Sequence, residues 1–223
     1  MIFCIADVLT VQELHQVQAG LERAVFVDGQ LSAGWHARRV KHNTQAKMGS
    51  QLTRKLQVLI QQALRRNVLF NLVVRPKAIR PLLFNRYDKA MKYGTHVDDA
   101  VMDDINPVRS DVSMTLFLSN PVDYDGGELV IETTAGEQDF KLDAGVMVIY
   151  PSTLLHRVEP VTRGKRLAAV TWIQSLVRDA ARRELLFDLD TARRVLFEKH
   201  GKTHEFDLLS KSLANLLRMW VEV

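Results

Sequence analysis

The chain has 223 residues, 47% of them hydrophobic, enough for one domain of moderate size with a small helical annex. Its 30 Lys+Arg against 26 Asp+Glu leave a net charge of +4 at pH 7, and its single cysteine, Cys4, excludes an internal disulfide and fits a reducing compartment. The start carries no basic n-region, and no stretch approaches the roughly 18–20 apolar residues of a membrane span, so a soluble cytoplasmic protein without a membrane partner is expected.

The first segment reads as a helix. Thr10-Val11-Gln12-Glu13 fits a capping box, and Leu14, Val17, Leu21 and Val25 follow at helical spacing. Gly29 and Gly34 then mark a loop. The basic excess lies here: residues 1–80 hold 12 Lys+Arg against 4 Asp+Glu. Its densest patch is Arg38, Arg39, Lys41 and Lys47, expected to be a solvated face that can steer an anionic substrate. It lacks interleaved aromatics and the chain has no nucleic-acid motif, so no nucleic-acid partner is expected. A second helix is predicted over about 51–66, with Leu52, Leu56, Leu59, Ile60 and Ala63 on one face and charge on the other.

From about residue 79 the period changes. Strands are predicted over 81–87, 112–118, 128–132, 138–142, 146–150, 156–161 and 167–174. Gly126-Gly127, Ala135-Gly136, Ala144-Gly145 and Arg163-Gly164 punctuate them as turns. Short strands at this spacing indicate an antiparallel double-stranded β-helix, or jelly roll, whose mouth is a natural binding site. After Gln174 the pattern is helical again over about 177–199, with Gly201 as the stop. Leu209, Leu213, Leu216 and Trp220 form a last apolar stripe, expected to cover the protein's own barrel; a homo-oligomer seam is the alternative. The fold class is therefore α+β, with an N-terminal helical support region (1–78), a jelly-roll domain (79–176) and a C-terminal helical extension (177–223).

The chemistry is concentrated in the barrel. His96-x-Asp98 places two ligands on one face of a strand, with Val97 pointing away. His156 follows on a later strand, at the distance a jelly roll needs to bring one strand back beside another. Two imidazoles and a carboxylate form the facial triad of non-heme ferrous sites and leave positions open for substrate and oxygen. Zinc accepts the same ligands, so the triad alone does not decide the metal. Arg166 bears on that choice. Leu167, Ala168, Ala169, Val170 and Trp172 show its strand already entering the core, where a guanidinium needs an anionic partner such as the carboxylate of a co-substrate.

An ordered set of motifs extends this pattern: Tyr87, Tyr93-Gly-x-His96-x-Asp98, Gly126-Gly127-Glu128-Leu129, Pro151-Ser152-x-x-x-His156, Gly164-x-Arg166 and Trp172-x-Gln174-Ser175. It resembles the Fe(II)- and 2-oxoglutarate-dependent dioxygenases, and within them the bacterial PKHD-type hydroxylases, which are similar to prolyl 4-hydroxylases. The resemblance is strong over about 79–176. It implies Fe(2+) held by His96, Asp98 and His156, 2-oxoglutarate held by Arg166 with Tyr87 lining its pocket, and O2 as the other co-substrate. It also implies L-ascorbate as the reductant of iron and an association with iron uptake. Turnover would convert 2-oxoglutarate to succinate and CO2 while a substrate C–H bond is hydroxylated. Related halogenases lack a carboxylate at the position of Asp98, so hydroxylation is the expected outcome. The substrate, peptidyl proline or a small molecule such as a siderophore, is not named by any residue.

Two other functions fit the same barrel. A non-enzymatic iron-binding sensor would need the triad but has no use for Arg166. A zinc hydrolase would need a general base, for which Asp99, Asp103 and Asp104 are candidates in the 99–109 stretch expected at the rim. His36 and His42 are expected in the basic loop over the mouth, and His200 and His204 are separated by Gly201, so neither pair is expected to bind metal. Cys4 is expected to be a small buried thiol.

Overall fold

The computed structural model describes residues 1–102 and 105–223. The N-terminal part runs β1 (Phe3–Ile5), α1 (Val11–Glu22), β2 (Phe26–Asp28), β3 (Lys41–His42), β4 (Thr44–Ala46), α2 (Gln51–Arg66), α3 (Val68–Val74) and β5 (Pro76–Ile79). Thr10 and Glu13 cap α1 reciprocally as expected, but the helix stops at Glu22 and leaves Val25 exposed beyond it. Helix α3 has no signature in the apolar period, because Val68-Leu-Phe-Asn-Leu-Val-Val74 is rich in β-branched residues. Burial of Phe70, Val73 and Val74, with the Asn67 side chain accepting from Phe70 N at 2.8 Å, overrides that propensity. The stretch before residue 79, expected as helical support, also supplies β1, β2, β4 and β5 to the main sheet.

The barrel follows: β6 (Leu83–Tyr87), β7 (Lys92–His96), β8 (Val101–Met102), β9 (Val108–Arg109), β10 (Val112–Phe117), β11 (Tyr124–Gly126), β12 (Leu129–Thr133), β13 (Gly136–Phe140), β14 (Met147–Pro151), β15 (His156–Val158), β16 (Val161–Gly164) and β17 (Arg166–Ser175). The larger sheet has the order β1-β14-β10-β17-β6-β4-β2, with β5 also on β17; the smaller has the order β13-β12-β15-β7-β3. All pairings in both are antiparallel, and the two sheets face each other as a jelly roll.

Period-2 alternation divides the larger sheet into two faces. Val112, Met114 and Leu116 on β10, Met147 and Ile149 on β14, and Ala169 and Ile173 on β17 join one core with Leu56, Ile60 and Leu64 of α2. Their neighbours point the other way, into the barrel: Ser113, Tyr150, Tyr87 and Arg166 line its cavity. Full burial of each such Leu, Ile or Phe contributes about 1.5–3 kcal/mol. Helices α1 to α3 therefore bind the outer face and leave the inner face to chemistry. Cys4, expected to be buried, is exposed: on edge strand β1 its neighbour Ile5 takes the core side.

Helices α4 (Ala180–His200) and α5 (His204–Trp220) form the annex, divided at Gly201 with φ +69°. Leu186 and Leu213 bury against Leu216, Leu217 and Trp220, so the apolar stripe, expected to cover the barrel, closes largely on its own hairpin. Buried Arg183 donates to the carbonyls of Val177 (2.8 Å) and Arg178 (2.7 Å) at the start of the annex and reaches the barrel at Asp111 O (3.5 Å). No described helix is long and apolar enough to cross a membrane.

Candidate metal centre and co-substrate pocket

His156 on β15 stands directly opposite His96 on β7 in the strand register, with ring centroids 4.2 Å apart. Asp98 Oδ2 lies 3.8 Å from His156 Nε2, and one ligand atom from each of the three residues falls within 4.8 Å of the others. Among the described residues this is the one cluster of three or more such side chains able to hold an ion. Strand β7 ends at His96, so Asp98 does not reach the site by strand alternation. It curls in beyond the strand end, where the Ser113 hydroxyl donates to its Oδ2 at 2.5 Å and Ser152 Oγ stands 2.7 Å from Ser113 Oγ.

Each imidazole has its Nδ1 against a carbonyl: Gly94 O at 2.9 Å for His96 and Leu154 O at 3.1 Å for His156. Donation from Nδ1–H leaves the Nε2 lone pair for a metal. Burial, with His156 beside it, lowers His96 to about 3, so the ring is neutral near pH 7. The unfolded chain takes up a proton near 6.5 that the folded protein refuses until about 3. Stability of metal-free protein is therefore expected to fall as pH drops below 6.5, down to about 3. Thermal melts in chelator between pH 7 and pH 5 check this, and His96→Gln is expected to flatten the slope in that range.

Arg166 opens β17 in register with Tyr87 of β6 and is 2% exposed. Its guanidinium carbon lies 5.2 Å from the Tyr87 ring centroid and 5.3 Å from that of Phe117. Its Nε and Nη2 are buried and have no hydrogen-bond partner among the described residues. Buried donors without partners are costly, and here they line a cavity of about 360 Å³ that also contains His96, Asp98 and His156. The donor set fits a carboxylate. Burial pushes the Tyr87 phenol up to about 12, against the pull of the Arg166 charge. Gly127 makes the close packing possible. A Cβ there would stand 2.9 Å from Val161 Cγ2 and 3.0 Å from Arg166 Cδ, and its φ of +68° suits glycine. The Gly126-Gly127 turn read from the sequence thus also gives Arg166 its room.

The sequence does not place Tyr93 or Lys41 in the cavity, but the fold does. A bulge between β15 and β7 sets three steps, Tyr93 to His96, against two, Val158 to His156. Tyr93 and His96 therefore share a side, and their rings stack at 3.7 Å. Lys41, expected on a solvated face, is 5% exposed and lines the cavity, because β3 pairs with β7 and places Lys41 opposite Tyr93. Arg38, Arg39 and Lys47 are exposed as expected. Burial lowers the Lys41 ammonium to about 8, against the pull of Asp98 and Asp28. Ser113 had a signal: with Thr115 it forms a polar pair at i, i+2 on an otherwise apolar strand, marking the face turned to the cavity. Of the acids considered for hydrolysis, Asp99 lines the cavity, and Asp103 and Asp104 lie outside the described residues. His200 and His204 are exposed on either side of Gly201.

Residues 82–174 match the family described as the 2OG-Fe(II) oxygenase superfamily, and residues 179–222 match the PKHD-type hydroxylase C-terminal domain. Over full length the chain is 56% identical to a PKHD-type hydroxylase of Gloeothece citriformis and 55% identical to one of a Synechococcus strain, covering 100% of both chains in each case. In fold it is similar to a Pseudomonas putida prolyl-4-hydroxylase, with a TM-score of 0.54 and 20% identity over 78% of this chain and 92% of that one.

Proposed function

We infer the reaction from one premise: the chain belongs to the 2OG-Fe(II) oxygenase superfamily and, within it, to the PKHD-type hydroxylases. It is a dioxygenase-type oxidoreductase. Residues 79–176 are the catalytic unit, His96, Asp98 and His156 hold the ferrous ion, and Arg166 with Tyr87 holds the distal carboxylate of 2-oxoglutarate. When bound, iron and 2-oxoglutarate supply oxygen activation, and the overall reaction turns substrate C–H, 2-oxoglutarate and O2 into substrate C–OH, succinate and CO2.

The chain's own residues bind, orient and exclude water. The Gly94 and Leu154 carbonyls fix the imidazole tautomers, and Ser113 aims Asp98. Arg166 sets the co-substrate through paired N–H donors, and Tyr87 and Phe117 keep that end dry. The observation that carries the reading is two unpartnered Arg166 nitrogens, Nε and Nη2, sharing one cavity with three clustered side chains able to hold an ion. A sensor would leave those buried donors without purpose.

Purified protein reconstituted with ferrous iron is expected to convert 2-oxoglutarate to succinate with O2 uptake, slowly without substrate. Absence of succinate with iron bound would refute the reading. Ascorbate is expected to prolong that turnover by keeping iron reduced. Gly127→Ala is expected to weaken 2-oxoglutarate binding at least about tenfold by crowding Arg166, since one hydrogen bond to a charged group is worth about 1.5–3 kcal/mol. Calorimetry of the Mn(II)-loaded variant, with circular dichroism to check folding, measures it.

A further inference from the structure

Lys41 is a buried cavity cation to which the oxygenase reading gives no role. Its ammonium is 3.0 Å from the Ser32 hydroxyl and 5.0 Å from the Tyr93 ring centroid, and that ring stacks on His96. Among the described residues it makes no ion pair with a carboxylate. An ammonium has three donors, and a buried one served by a single hydroxyl calls for an anionic partner. Asp98 and Asp28 attract it from a distance without pairing with it, and the Asp98 charge faces the metal when one is bound.

The co-substrate does not fill this need. Arg166 is on β17 of the larger sheet, whereas Lys41 is on β3 at the edge of the smaller one. A 2-oxoglutarate whose far carboxylate is on Arg166 and whose other end meets the metal has no carboxylate left over. The cavity walls also include Met48, Leu83, Val170 and Trp172, which suit an apolar body.

We propose that Lys41, with Ser32, receives an oxyanion of the molecule to be hydroxylated: the substrate is an anion with an apolar body, held in the iron cavity on the wall opposite Arg166. This rests on the oxygenase reading and adds the substrate class to it.

The test uses full-length protein loaded with Mn(II) and saturating 2-oxoglutarate under nitrogen. Matched probes, 4-phenylbutyrate and 4-phenylbutyramide, are titrated by ligand-observed NMR. The carboxylate is expected to bind at least about tenfold more tightly than the amide, a difference typical of a desolvated charge contact. Lys41→Met is expected to bring the ratio near one, Lys41→Arg to keep most of it, and the exposed Lys47→Met to leave it unchanged. Equal affinity or no carboxylate binding in the wild type, or a preference that survives Lys41→Met, overturns the proposal. So does a loss of 2-oxoglutarate affinity in Lys41→Met as large as in Arg166→Met, which would move Lys41 to the co-substrate. Failure of the wild type to bind 2-oxoglutarate in the loading step refutes the oxygenase reading itself and is seen before any probe is added.

Discussion

Asp98→Ala is expected to lower ferrous-dependent conversion of 2-oxoglutarate to succinate by more than about 100-fold. Outer partners of a metal site alone are worth about 10- to 100-fold in affinity or activity, and Asp98 is proposed as a direct ligand. Its loss leaves His96 and His156 as two neutral nitrogens with no negative charge to balance a divalent ion. The Ser113 hydroxyl, 2.5 Å from Asp98 Oδ2, grades the effect. Ser113→Ala is expected to fall between wild type and Asp98→Ala, with metal affinity down about 10- to 100-fold. Anaerobic iron titration with a succinate assay measures both, and wild-type turnover in Asp98→Ala would remove the triad from the mechanism.

Arg166→Met is expected to separate co-substrate binding from folding. Truncating one partner of a buried, hydrogen-bonded charge pair costs about 2–5 kcal/mol, so 2-oxoglutarate affinity is expected to drop by about 30-fold or more. Metal affinity is expected to hold, because Arg166 contacts none of the three proposed ligands. Without co-substrate the opposite sign applies to stability. Arg166 is 2% exposed with two nitrogens unpartnered, and an apolar side chain of similar length there is expected to leave the melting temperature unchanged or raised. Adding 2-oxoglutarate to the Mn(II) form is expected to stabilise wild type by mass action and to leave the variant nearly unmoved. Equal stabilisation of both proteins would place the co-substrate elsewhere.

The annex and the N-terminal segments show where sequence reading reached its limit. The capping box at Thr10, helix α2 and the strand pattern after residue 79 are local, set by side-chain chemistry within a few residues, and were legible. Helix α3 was not, because its apolar β-branched run becomes helical only when Phe70, Val73 and Val74 find a core. The burial of Lys41 is hidden in the sequence for a related reason. A lysine among arginines reads as solvated, and only the pairing of β3 with β7 buries it.

Residue type and order by themselves determined the antiparallel barrel and the kind of chemistry it can host, since alternation, turn glycines and ligand-type side chains are properties of the local chain. Convergence was decided in three dimensions. The bulge that turns Tyr93 to the same side as His96, the curl that brings Asp98 to Ser113, the space Gly127 leaves for Arg166 and the burial of Lys41 each depend on a strand distant in sequence. Only contact between such distant segments selects which polar groups leave water, and that selection makes the site.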